Sequence, residues 1–89
     1  TQKMKLTTTG LSIGTGDPTE ALDVTGNIKA SGTITGTTIT GSQFRLSALN
    51  TAPASATATG TTGEIRIVKG FIYVCVATNT WQRATLATW

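Results

Sequence analysis

The sequence predicts an all-β protein: a thin shaft of extended chain followed by a small antiparallel β-meander head. Three observations predict it. Thr (21 residues) and Gly (10) dominate the 89-residue chain, and both are poor helix formers. Residues 26–44 alternate with a period of two, which is the signature of extended backbone. The last third carries three short runs rich in β-branched and aromatic residues, separated by turn residues.

Along the chain, residues 1–26 form a lead-in. Thr1–Thr9 is polar and slightly basic; Met4 has the look of a translation start, and Thr1-Gln2-Lys3 before it reads as the edge of a fragment. Leu11-Ser12-Ile13 alternates like a short strand, and Gly14-Thr15-Gly16 reads as a tight turn. Asp17-Pro18-Thr19-Glu20 has the pattern of a helix start, with Asp17 as N-cap, Pro18 first in the helix and Glu20 third. Thr25-Gly26 breaks it, so one helical turn is expected.

Residues 27–50 form the predicted shaft. Ile28, Ala30, Gly32 and Ile34 alternate with Lys29, Ser31, Thr33 and Thr35. A weak repeat follows, Gly32-Thr33-Ile34-Thr35 and then Gly36-Thr37-Thr38-Ile39-Thr40. Its second unit is one residue longer, so the inward parity flips and a bend or bulge is expected near Gly36. A strip with so few large apolar residues cannot bury itself. Copies wound around an axis can, with Gly and Thr keeping the backbones close. Ile28, Ile34 and Ile39 are therefore the candidates for the axis of an oligomer.

Residues 51–63 are an Ala/Thr/Gly-rich low-complexity stretch, read as a linker or an extended surface segment. Residues 64–89 form the predicted head. Its strands are Glu64–Val68, Phe71–Val76 and Trp81–Leu86, joined by turns at Lys69-Gly70 and at Ala77–Thr80. In the middle strand, Ile72, Val74 and Val76 share one face and Phe71, Tyr73 and Cys75 the other. Both faces are apolar, so the strand is expected to be covered on both sides, by its own subunit and by neighbours.

Composition excludes several functions. There is no His, hence no His-based triad or His metal site. The single Cys75 cannot form a disulfide within the chain or build a Cys-rich zinc site. No apolar run approaches the roughly 18–20 residues of a membrane span, so no membrane insertion is expected. Only 24 bulky apolar side chains stand among 89 residues. Chains this small and this lean are stabilised by disulfides, metal or oligomerisation, and only the last has support here.

Two segments resemble a known family. Leu11-Ser12-Ile13-Gly14-Thr15-Gly16-Asp17-Pro18 through Leu22-Asp23-Val24-Thr25-Gly26-Asn27-Ile28 resembles the IGT…P…L-x-V-x-G-N-I stretch of tail fibres and tailspikes of tailed bacteriophages. Gly63-Glu64-Ile65-Arg66, with Tyr73-Val74-Cys75-Val76 and Thr78-Asn79-Thr80-Trp81-Gln82-Arg83, resembles the GEIR…YVC…TNTWKR ending of phage fibre-type proteins. The resemblance implies a homotrimer whose shaft is intertwined, like a triple-stranded β-helix. It also implies a C-terminal end that carries trimerisation or host-surface binding. Many such proteins carry a self-cleaving chaperone after the first motif. The residues after Gly26 are too few for one, so that activity is not expected, nor is a long polysaccharide-cleaving β-helix.

Candidate chemistry is sparse. Asp17, Glu20 and Asp23 lie close in sequence, but they read as caps and a solvated turn in preference to a calcium site or an acid/base pair. Gly14-Thr15-Gly16 lacks the Gly-Lys-Ser/Thr of a phosphate loop. Cys75 has no activating His or adjacent cation and reads as a small core residue. No catalysis and no cofactor are expected. The seven basic residues are scattered, so a nucleic-acid groove is not expected either. Tyr73, Trp81 and Arg83 are the candidate receptor contacts; both aromatics suit burial at a core or subunit interface as well as ligand recognition.

The expected function is a structural segment of a virion tail fibre that presents its head to the host surface. The expected partners are further copies of the chain, other virion tail or capsid proteins at the N-terminal end, and a bacterial surface glycan or lipopolysaccharide. Two other readings stand beside it: a capsid, neck or fibre-capping trimerisation protein without receptor binding, and a carbohydrate-binding module.

Overall fold

The computed structural model describes residues 4–14 and 16–89, and all regular structure among them is β. The chain divides into two units, Thr1–Thr40 and Gly41–Trp89.

The first unit holds a three-stranded sheet in the order β1 (Met4–Leu6), β2 (Leu11–Ile13), β3 (Leu22–Val24). β1 and β2 are antiparallel, with Met4 opposite Ile13 and Leu6 opposite Leu11. Their turn closes through the Thr7 amide, which donates to Gly10 O at 2.9 Å. β2 and β3 are parallel, with Leu11 beside Leu22. Parallel neighbours usually need a crossover of a dozen or more residues. Here each strand is three residues long, and the shorter connection 14–21 suffices. Gly14 (φ 115°) and Gly16 (φ 87°) turn the chain where a side chain would be strained. Thr15 between them lies outside the described residues.

The helical turn expected at 17–20 does not form. Asp17 caps no helix; its carboxylate pairs with Lys5 Nζ. The acid that organises this turn is Asp23, whose Oδ2 accepts from the Thr19 amide at 3.1 Å and from Thr19 Oγ1 at 3.2 Å. The physical reason is the sheet: Leu22–Val24 must lie extended beside β2, and Pro18 is buried within the turn. β1 was not expected either, because Met4-Lys5-Leu6 reads as part of a polar lead-in. Ser12 is the buried polar residue here, 3% exposed, and its Oγ donates to Gly16 O at 3.0 Å. Met4, Leu6, Ile13 and Leu22 all remain exposed.

Residues 25–49 contain no strand, and their backbone bends repeatedly, at 25–26, 31–32, 37, 42 and 47–48. Every side chain in this stretch is exposed. Ile28, Ile34 and Ile39 show 66%, 65% and 58% of their surface to solvent within a single chain.

The second unit carries the expected meander: β4 (Ile65–Val68), β5 (Phe71–Ala77) and β6 (Thr80–Thr85), antiparallel in that order. Val68 lies opposite Phe71 across the Lys69-Gly70 turn. The turn between β5 and β6 places Asn79 at φ 53°, a conformation Asn tolerates better than most residues. A register shift between Cys75 and Ala77 gives β5 an extra residue there. Asn50 covers the outer edge of β4. Its amide donates to Ile67 O and its Oδ1 accepts from the Ile67 amide, both at 2.8 Å. One residue thus satisfies both backbone groups of Ile67 on a strand edge otherwise open to pairing.

Candidate functional site

Side-chain alternation sorts the meander into two faces. One carries Ile65, Ile67, Ile72, Val74, Val76 and Ala84, brought together by the pairings Ile65–Val74, Ile67–Ile72 and Ile72–Ala84. Nothing in the chain covers it well: Ile65 and Val76 are exposed, and Ile67, Ile72 and Val74 are half-buried. A shallow hollow of about 340 Å³ lies there, lined by Ile72, Val74, Val76 and Ala84 with Gln82 and Arg83 at its side.

The other face carries Arg66, Phe71, Tyr73, Cys75, Trp81 and Arg83. Its centre is Cys75, fully buried, with Sγ 3.1 Å from Ala77 O. Beside it stands Trp81, 5% exposed. The indole Nε1 donates to Ala58 O at 3.0 Å and the Trp81 amide to Ala56 O at 2.9 Å. Gly60 lies directly against the indole; a Cβ there would sit 2.5 Å from Cζ2. The Gly60 amide donates to Asn79 Oδ1 at 3.0 Å, and the Asn79 amide returns a bond to Gly60 O at 3.0 Å. Gly63 N donates to Cys75 O at 2.7 Å. The Ala/Thr/Gly-rich stretch is therefore wrapped on the head, with Trp81 as its anchor. Its small residues let the backbone reach the ring.

Arg66 adds a charged clasp. Its guanidinium lies over the Trp81 ring, 5.0 Å from the centroid, while Nε donates to Glu64 Oε2 at 2.8 Å and an η nitrogen reaches Thr51 O at 3.3 Å. The hydrogen bond from Arg66, helped by the Thr61 amide, holds the Glu64 carboxyl below its ordinary value of 4.5. A carboxylate with a lowered folded pKa stabilises the fold above its unfolded pKa and loses that contribution as pH falls through the folded value. Glu64→Gln is therefore expected to melt below wild type at neutral pH. The gap should close once the medium is acid enough to protonate Glu64 in the folded protein. Thermal melts of both proteins across that range check this.

Tyr73 of β5 and Trp81 and Arg83 of β6 all line one groove of about 400 Å³. Its opposite wall is Pro53, Ala54, Ser55 and Ala56 from the wrapped segment. Tyr73 and Arg83 are direct cross-strand partners. The Arg83 guanidinium lies over the Phe71 ring, 4.4 Å from its centroid, and approaches Tyr73 Oη at 3.5 Å. The Phe71 and Tyr73 rings are themselves 5.9 Å apart and tilted by 49°. Trp81 reaches the groove from within the head, since most of its ring is covered. The contribution of residues 53–56 was missed from sequence, because a stretch of Pro, Ala and Ser carries no signal of what it packs against. Among the described residues no group of three or more metal-ligating side chains comes together.

A two-unit all-β chain with exposed, regularly spaced apolar side chains fits the fibre-type proteins that its sequence resembles. Comparison with known proteins supports the same class: a phage tail fibre or tailspike-type region, placed on a tail appendage of the virion. The chain is 58% identical over 36 residues to depolymerase 1, specific for capsule K30/K69, of Klebsiella phage K5-2. It is 40% identical over 37 residues to a capsule K30/K69-specific depolymerase of Klebsiella phage K64-1. These stretches cover 40% and 42% of this chain but span only 4% and 5% of the two relatives. No family model and no solved structure matches the chain.

Proposed function

We propose that this chain is a structural segment of a tail fibre or tailspike, which assembles as a homotrimer and presents its C-terminal meander for attachment to the host surface. The observation that carries this is the amount of apolar surface left open in one chain. In the first unit Ile28, Ile34 and Ile39 are exposed; in the second, so are Phe44, Leu49 and much of the Ile65–Ile67–Ile72–Val74–Val76 face. Exposed apolar surface on this scale marks an interaction face. Identical copies are the occupant that fits, because each brings the same exposed isoleucines and the same sheet face, whose centre at Ile67, Ile72 and Val74 is uncharged.

In this reading the segment performs no catalysis. It contributes assembly and contact, and the depolymerase activity named for the relatives belongs to the remaining length of such proteins. Three copies also multiply weak contacts through effective concentration. Light scattering on the purified chain tests the assembly. A mass near three times that of the monomer is expected; a compact monomer with a cooperative melt would overturn it. Binding of the trimer to encapsulated host cells tests the attachment.

A further inference from the structure

We infer that the groove between β6 and residues 53–56 binds an anionic saccharide, with Arg83 receiving its acidic group. This rests on the attachment part of the reading above and names the chemistry of the ligand. The argument begins with charge. The ion pairs among the described residues are Lys5–Asp17 and Arg66–Glu64, so no carboxylate engages Arg83. No acidic residue lines the groove, whose one charged group is the Arg83 guanidinium.

That guanidinium is also held in place. Phe71 supports one of its faces at 4.4 Å, and Tyr73 Oη lies 3.5 Å from an η nitrogen, a weak contact that leaves most of its donors free. A planar guanidinium with a fixed face and free donors matches the two oxygens of a carboxylate or phosphate.

The surroundings select a sugar over a bare anion. The Tyr73 ring offers an apolar face and its hydroxyl a polar tip, the pairing that suits a ring with C–H faces and hydroxyl rims. Ser55 and Gln82 add polar groups to the lining. At about 400 Å³ the groove falls within the roughly 300–1,000 Å³ of small-ligand sites.

The test uses the full chain and three probes: an oligosaccharide of uronic acids, the same oligosaccharide with its carboxyls reduced to alcohols, and a phosphorylated glycan. Amide chemical shifts of β6 and residues 53–56 report site and affinity; light scattering on the same samples reports assembly. Binding of a charged probe at these residues is expected. Binding by the reduced probe should be weaker by tenfold or more, and the charged probe should weaken with added salt. The uronate and phosphate arms assign the anion. Arg83→Gln should lose at least tenfold in affinity, with Arg83→Lys between it and wild type, and Lys5→Gln unchanged. Equal binding of charged and reduced probes, full affinity in Arg83→Gln, or no binding of either charged probe would each overturn the inference. A trimer that binds no charged probe sinks this inference alone, whereas a monomer that binds one sinks the assembly.

Discussion

Replacing Trp81 by alanine is expected to destabilise the C-terminal unit by about 3–5 kcal/mol, the usual range for removing a large buried aromatic. The ring is 5% exposed and donates through Nε1 to Ala58 O. It supports Arg66 from below and accepts Gly60 against its edge. Its loss empties the centre of a sheet with very little other core, and it releases residues 56–63 from the head. Thermal melts and hydrogen exchange on amides 60, 63 and 79 measure both consequences. Gly60→Ala approaches the same contact from the other side. The added methyl meets the indole at 2.5–2.8 Å, and the Trp81 ring is too enclosed to retreat. A loss of about 1–3 kcal/mol is expected from such overpacking. If Trp81→Ala melts like wild type, the wrapped segment is not anchored as described.

The second large effect is expected from Ile34→Asp. In the trimeric reading, three Ile34 side chains meet near one axis. Three aspartates there would be like charges taken out of water with no partners, at a cost of several kcal/mol for each ion. Loss of the trimeric mass is the expected result, read by light scattering and by a melting temperature that falls and no longer depends on concentration. Ile34→Val removes one methylene and should leave the mass unchanged. An Ile34→Asp protein that keeps both mass and melting temperature would refute the axial placement. The isoleucine is 65% exposed in the single chain, so the monomer itself has no reason to resist the change.

The parts of the fold legible in the sequence share a physical basis. β4, β5 and β6 were read to within a residue or two, because period-two alternation, β-branched residues and the Lys69-Gly70 and Asn79 turns all act locally. Leu11–Ile13 was legible for the same reason. The failure at Asp17–Glu20 is equally instructive. A capping pattern describes what a backbone would do if free to coil, and this backbone is drawn extended into β3 by its pairing with β2. Met4–Leu6 gave no signal, since a three-residue strand with three exposed side chains has no buried face to imprint a pattern.

At the candidate site the division is similar. Tyr73, Trp81 and Arg83 drew notice as aromatic and cationic residues near the C-terminal turn. Their meeting in one groove depends on the β5–β6 register, which puts Tyr73 opposite Arg83 and Cys75 opposite Trp81. The far wall, residues 53–56, comes from a segment in which Ala recurs at every second position, and an alternation of small residues does not mark what it packs against.

By itself the sequence determined that this chain is β and that it is short of bulky apolar groups. Local chemistry suffices for such conclusions, since propensity, alternation and residue counts need no knowledge of distant neighbours. Tertiary structure alone decided that the indole of Trp81 is turned inward, that Gly60 lies against that ring, and that the Arg83 guanidinium rests over Phe71. Each of these is a contact between residues that the chain separates and the sheet rejoins, and no pattern along a single strand encodes its partner.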